Sequence, residues 1–226
     1  MSTLTATHRY AASTPATNPL HRFAIGAVLS PIAFTLSWLV LGALSPGYDV
    51  FGTHIAPYSP ITQPISGLGL GVTGPYMNAA FVLCGVVLLA GVAAATQTLL
   101  DKPGARWLSG VLLGLSPIGM IVAGVFNLES PMLHFSGALL AFGIPVVGFA
   151  VAGWQLRRVP QRRALGTWLL LAAPLTLALV VVYFASFDQA TTAAGGGVAG
   201  LTQRVAMVEL QFWYVVLGLS ALRRQA

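Results

Sequence analysis

Six long apolar stretches separated by short polar ones set the pattern of this chain. Apolar residues run almost without interruption over approximately 23–45, 75–98, 106–126, 131–154, 164–186 and 203–222. Each is close to the roughly 20 residues a helix needs to cross the hydrocarbon core of a bilayer. The hydrophobicity continues around each helix, and backbone polar groups in lipid have to be satisfied within their own segment. The pattern therefore predicts an all-α polytopic membrane protein, a bundle of six transmembrane helices. The short alternating segments of a β-barrel are absent. Prolines at 31, 117, 145 and 174 are expected to kink four of the spans, and Gly110 and Gly114 form a GxxxG suited to helix packing.

The longest connection breaks this pattern differently. Residues 46–74 carry Pro46, Pro57, Pro60 and Pro64 and six glycines, yet keep Ile61, Ile65, Leu68 and Leu70. Proline and glycine at this density exclude a continuous helix, and the apolar residues argue against a free loop. A folded cap on the outer mouth of the bundle is expected. Residues 1–22 are polar, rich in Ser, Thr and Ala, and lack apolar periodicity, so they read as a disordered tail before a transmembrane domain over 23–224. The AAGGGVAG run at 193–200 offers little to anchor it and reads as a mobile loop.

Composition agrees and excludes other classes. The chain is 56% hydrophobic and 7% charged, with a mean hydropathy of +0.81, against about 25% charged residues in a soluble domain. A net charge of +6 does not point to nucleic acid, because the basic residues sit at the ends of the apolar runs. Ten of the 11 basic residues (Arg9, Arg22, Lys102, Arg106, Arg157, Arg158, Arg162, Arg163, Arg223 and Arg224) fall on one side of the six spans. The positive-inside bias makes that side cytoplasmic and puts both termini there. The single cysteine, Cys84, lies in an apolar run, so no intrachain disulfide can form.

Several stretches carry a family likeness. YSPITQPISGLGLG followed by PYMNAAFVLCG, then FNLESPMLHFSGA, then GLTQRVAMVELQFWYVVLGLSALRR, together resemble the bacterial six-helix integral membrane family catalogued as domain of unknown function 998. The resemblance extends over nearly all of 23–224. It implies the six-helix fold and a bacterial cytoplasmic membrane, and no established chemistry. Where that family has an acidic residue soon after the phenylalanine, this chain has Asn127 and places Glu129 two positions on.

The polar residues that need explaining gather toward the outer side. Glu209 falls about 10 Å inside the sixth span at 1.5 Å per residue, and carboxylates in a membrane face the bundle interior and pair with something. Its helix turns it away from Arg204 by roughly 140°, so its partner is expected from the fourth span or the cap. His134 lies in the first turn of the fourth span, behind a Ser130-Pro131 start. As candidate acid–base groups the chain offers Glu209, His134 and Glu129. As candidate ligand contacts it offers Arg204, Gln211, Asn127, Ser66 and Tyr58. Each has a plainer role as well: a hydrogen-bonded interfacial histidine at 134, a helix-dipole interaction at Glu129, a backbone cap at Ser66, a structural anchor at Glu209. Nothing near Ser66 in sequence activates it as a nucleophile. HExxH, GxSxG and phosphate-loop patterns are missing. Glu129, His134 and Glu209 would make a metal site only if the fold gathered them, and no cofactor is indicated.

These residues point to an outward-facing polar pocket that binds a lipid or other amphiphile. A membrane-embedded acid–base or metal-assisted enzyme on a lipid-like or isoprenoid substrate is the alternative, and a small proton-coupled transporter using Glu209 a further one. A scaffold without a small-molecule ligand, and a homo-oligomer, are also compatible with the sequence.

Overall fold

The computed structural model describes residues 19–223, and within them the protein is an all-α polytopic membrane protein. The spans are α1 (Gly26–Leu44), α2 (Gly74–Leu99), α3 (Pro103–Val125), a broken pair α4 (Pro131–Phe142) and α5 (Ile144–Arg157), α6 (Arg163–Ser186) and, after the short α7 (Gln189–Ala193), α8 (Ala199–Leu222). Six of these units are long and apolar enough to cross a membrane. The disordered tail expected over 1–22 lies outside the described residues up to 18. Residues 19–22 belong to a 3-10 turn, Pro19–Ile25, that leads into α1.

The helices close into a ring. α1 packs on α2, α2 on α3, α3 on α4 and α5, α5 on α6, α6 on α8, and α8 back on α1 and α2. Lipid tails are as apolar as leucine, so burying apolar surface does not drive these contacts, and close backbone approach does. A Cβ on Gly119 would lie 2.5 Å from the Gly137 carbonyl oxygen, and one on Gly153 2.8 Å from that of Gly166. These glycines, with the pair Gly26 and Gly91, mark the tight crossings. The GxxxG at Gly110 and Gly114 does not: a Cβ there would meet only side-chain atoms, at 3.3 and 3.1 Å.

Proline creates backbone carbonyls without donors, and the bundle supplies donors for two of them. Pro117 stays inside α3 and has no N–H for the Leu113 carbonyl. The buried Tyr214 hydroxyl donates to that carbonyl from α8 at 2.9 Å. Pro145 leaves the Ala141 carbonyl free in the same way, and the Ser116 hydroxyl donates to it at 2.8 Å. At Pro145 the fourth span is divided between Phe142 and Ile144, whereas Pro31, Pro117 and Pro174 sit within continuous helices. Cys84 is buried and unpaired.

The cap contains strand structure that an all-α reading of the sequence did not foresee. β1 (Tyr48–Val50) and β2 (Thr53–Ile55) form an antiparallel ribbon with Tyr48 opposite Ile55. Its two-residue turn needs positive φ twice, and Phe51 (51°) and Gly52 (77°) provide it. Tyr48, Ile55, Tyr58, Ile65, Leu68 and Leu70 are buried beneath the ribbon and along the 3-10 segment Ile65–Gly69.

Side-chain hydrogen bonds fasten the cap to the bundle, among them Asn78 of α2 donating to the Gly69 carbonyl at 3.1 Å. Gln203 accepts from the Ile65 amide at 2.6 Å. Gln63 donates to the Thr192 carbonyl at 3.3 Å. Arg204 reaches the Pro60 and Gln63 carbonyls at 2.7 and 3.0 Å. Gly200 allows the approach, since a Cβ there would lie 2.6 Å from the Pro60 oxygen. The loop expected over 193–200 is correspondingly shorter, because Ala199 and Gly200 are buried at the start of α8.

Candidate functional site

A cavity of about 350 Å³ lies under the ribbon between the cap-side ends of α4 and α6. Its roof is Tyr48, Val50, Phe51, Thr53 and Ile55, and its back wall Pro64, Ser66 and Gly67. α4 contributes Met132, His134, Phe135 and Ala138, and α6 contributes Tyr183, Phe184 and Phe187. It exists because α4 leans on α3 while α6 packs along α5 and α8. The two walls meet through Phe135 and Phe184, edge to face with ring centroids 6.0 Å apart.

His134 is held by the end of the preceding helix. The last carbonyls of α3 have no intrahelical donors, and His134 Nδ1 lies 3.1 Å from the Ala123 oxygen and 2.9 Å from the Phe126 oxygen. Both neighbours accept only, so Nδ1 carries the proton and, in the neutral ring, Nε2 presents a lone pair. Ser66 Oγ lies 2.9 Å from Nε2 and donates to it. The ring thus caps α3 with one edge and accepts the serine proton with the other.

Two phenols complete the polar part of the cavity. Tyr48 is 4% exposed, and its hydroxyl lies over Gly67, so tightly that a Cβ there would collide with it. That hydroxyl has no hydrogen-bond partner among the described residues. Burial pushes the Tyr48 phenol up, with nearby Tyr58 adding to the shift and Arg204 opposing it, so it stays protonated through neutral pH. The Tyr183 hydroxyl accepts from Gln203 Nε2 at 3.1 Å, and among the described residues its proton has no acceptor.

The other candidates lie elsewhere. Arg204 is 7% exposed. It donates to three carbonyls and to the Tyr58 hydroxyl and lies over the Trp38 ring, 5.3 Å from its centroid. Arg204 and Tyr58 therefore join the cap to α8, and burial raises the Tyr58 phenol although the guanidinium opposes it. Gln211 accepts from Thr35 on α1 at 2.8 Å. Asn127 and Glu129 bond each other, and Glu129 is exposed at a separate shallow pocket beside Asp49 and Gly52.

Glu209 does not meet His134, contrary to the convergence expected for a shared pocket. Its carboxylate accepts from Thr176 Oγ1 at 2.9 Å and Trp213 Nε1 at 2.7 Å. It lines an apolar groove on the flank of α8 with Val205, Val208 and Phe212. Its partners come from α6 and from its own helix, so the fourth span and the cap supply none. Among the described residues, no three His, Cys, Asp or Glu side chains are placed to hold a metal ion.

Of the sequence candidates, Ser66 and His134 line the cavity under the ribbon, and sequence reasoning missed Tyr48 and Tyr183. The available signal was the tyrosine opening the ribbon and the aromatic run YFASF ending α6.

A family model described as "Protein of unknown function (DUF998)" matches residues 28–220. No curated protein and no solved structure matches the chain.

Proposed function

The chain belongs to this family of unknown function, so its role has to be read from its own site, and we propose that it binds a lipid or other amphiphile in the cavity between α4 and α6. The observation that carries this is the cavity's two-sided character. Its polar groups converge at Ser66, His134, Tyr48 and Tyr183, while its opening is framed by Met132 and Phe187, 78% and 43% exposed on the surface of the bundle. A volume of about 350 Å³ is at the small end for ligand pockets. It suits a head group and the first part of a chain, the remainder leaving past Met132 and Phe187 into the bilayer. Glu209 lies outside this cavity and takes no part in the binding proposed.

In this proposal the cap faces away from the cytoplasm, because Lys102, Arg106, Arg157, Arg158, Arg162 and Arg163 all lie in connections at the opposite end. A cysteine replacing Gly195, with Cys84 changed to alanine, should react with a membrane-impermeant maleimide in intact cells. Protection there together with reaction after permeabilisation would reverse the orientation.

Ala138 lines the cavity, and Ala138→Trp should fill it. With a dansyl-labelled C11 fatty acid as probe and purified protein in mild detergent, binding should weaken at least tenfold while the thermal midpoint changes little. Unchanged affinity in a folded variant would place the amphiphile elsewhere.

A further inference from the structure

The polar end of the cavity has more organisation than binding alone requires. Ser66 Oγ donates to His134 Nε2 at 2.9 Å, and His134 Nδ1–H is anchored on the Ala123 and Phe126 carbonyls. A hydroxyl within reach of an imidazole that a third group orients is the arrangement that activates a serine. A third feature is independent of this pair: Tyr48 is a buried residue of the cavity lining whose hydroxyl is unpartnered among the described residues and lies over Gly67, the residue next to Ser66. A protonated phenol there is a hydrogen-bond donor with nothing to donate to until a ligand arrives.

We propose that Ser66 and His134 form a nucleophile–base dyad that hydrolyses a carboxylic ester of an amphiphile, with the Tyr48 hydroxyl donating to the oxyanion. This rests on the amphiphile-binding function proposed above and names its chemistry. Ser66 Oγ attacks the ester carbonyl carbon as its proton passes to His134 Nε2. The bond to the alcohol oxygen breaks, and the imidazolium returns the proton to the departing alkoxide. Water then attacks the acyl-serine while Nε2 takes its proton, the acyl–Oγ bond breaks, and the proton returns to Ser66. Ester and water become acid and alcohol, with no other reactant. Water has access from the ribbon side, where Phe51, Thr53 and Gln189 are exposed cavity residues. The ester tail enters from the α4–α6 side. Neutral carbonyls hold the imidazole where other serine hydrolases use a carboxylate, so the base is weaker and turnover slow.

The test uses the full chain in detergent with a decyl fluorophosphonate, which loses fluoride on forming a bond to an activated serine, and with p-nitrophenyl decanoate as substrate. Peptide mass spectrometry should place the adduct on Ser66. Ser66→Ala should abolish both the adduct and hydrolysis. Tyr48→Phe should retain labelling capacity but slow ester hydrolysis roughly a hundredfold, the usual loss for one oxyanion donor. Wild-type protein that binds the fatty acid but is neither labelled at Ser66 nor hydrolytic would overturn the dyad and leave the binding function standing. Hydrolysis that survives Ser66→Ala would overturn it equally. Protein that neither binds the fatty acid nor reacts would remove both. His134→Asn removes the base and should slow labelling to the level of Ser66→Ala; should that variant not fold, the Tyr48→Phe comparison decides alone, and an unchanged rate there refutes the assignment of the oxyanion donor.

Discussion

Arg204→Ala should release the cap and lower stability by on the order of 3–5 kcal/mol, because hydrogen bonds to charged groups are worth roughly 1.5–3 kcal/mol each and do not add fully. The guanidinium is 7% exposed and serves the Pro60, Gln63 and Gly200 carbonyls and the Tyr58 hydroxyl together. Its removal leaves buried oxygens without donors and takes away the cation stacked against Trp38. No carboxylate is among its hydrogen-bond partners, so the oxygens of the cap are what make a buried charge tolerable here. Arg204→Lys should rescue little, since an ammonium on a flexible stem lacks the planar fork that spans these acceptors. Thermal unfolding in detergent gives the first number. Hydrogen exchange gives the second, with the Ile65 amide expected to lose protection as the cap lifts. A midpoint within a degree or two of wild type, with the cap amides still protected, would show that Gln203 and Gln63 suffice.

Gly91→Leu should damage the bundle itself. Gly91 and Gly26 face each other where α1 crosses α2: a Cβ on Gly91 would lie 2.6 Å from the Gly26 carbonyl carbon, and one on Gly26 2.5 Å from the Val87 oxygen. The obstacles are backbone atoms of packed helices, which cannot turn aside as a side chain tip would. Overpacking of this kind is expected to cost about 3 kcal/mol, the upper end of the usual range. By contrast, Gly110→Ala should be nearly silent, because the nearest atom to its Cβ is the Thr96 hydroxyl at 3.3 Å. Folded yields from detergent and thermal midpoints read both variants. Equal tolerance at 91 and 110 would contradict this account of the crossing.

The spans were legible because a membrane helix is written locally, as about 20 consecutive apolar residues, and each helix follows its run with shifts of a few residues at the ends. A disturbance at each proline was legible for a similar reason, since the missing N–H belongs to one residue, but not that Pro145 alone of the four would divide its span. The donors that compensate were not, because Tyr214 lies 101 residues from Leu113 and Ser116 25 from Ala141. The ribbon was hidden by its brevity and by a Phe-Gly turn in place of the Asn-Gly or Asp-Gly that announces a hairpin.

At the site, individual residue types were readable and their company was not. His134 announced itself as a histidine at a helix start, yet its contact with Ser66 spans 68 residues and depends on how the cap folds back. The fourth span or the cap is where the sequence places Glu209's partner, whereas its carboxylate is satisfied by an indole one turn along its own helix and a threonine on α6. The four-residue spacing to Trp213 was present in the sequence. Arg204 looked like a ligand contact because charge is rare in this chain, and its carbonyl partners cannot be read from side-chain chemistry. A buried arginine can be held mainly by backbone carbonyls, here three of them with one tyrosine hydroxyl.

The central claim is that the cavity between α4 and α6 holds an amphiphile. An electron cryo-microscopy map of the protein in lipid nanodiscs tests it most directly. Elongated density is expected, with its head beside Ser66, His134 and Tyr48 and its tail passing Met132 and Phe187 to the bilayer. A well-resolved map with that cavity closed by side chains, or holding only water while a lipid occupies the groove beside Glu209, would contradict it.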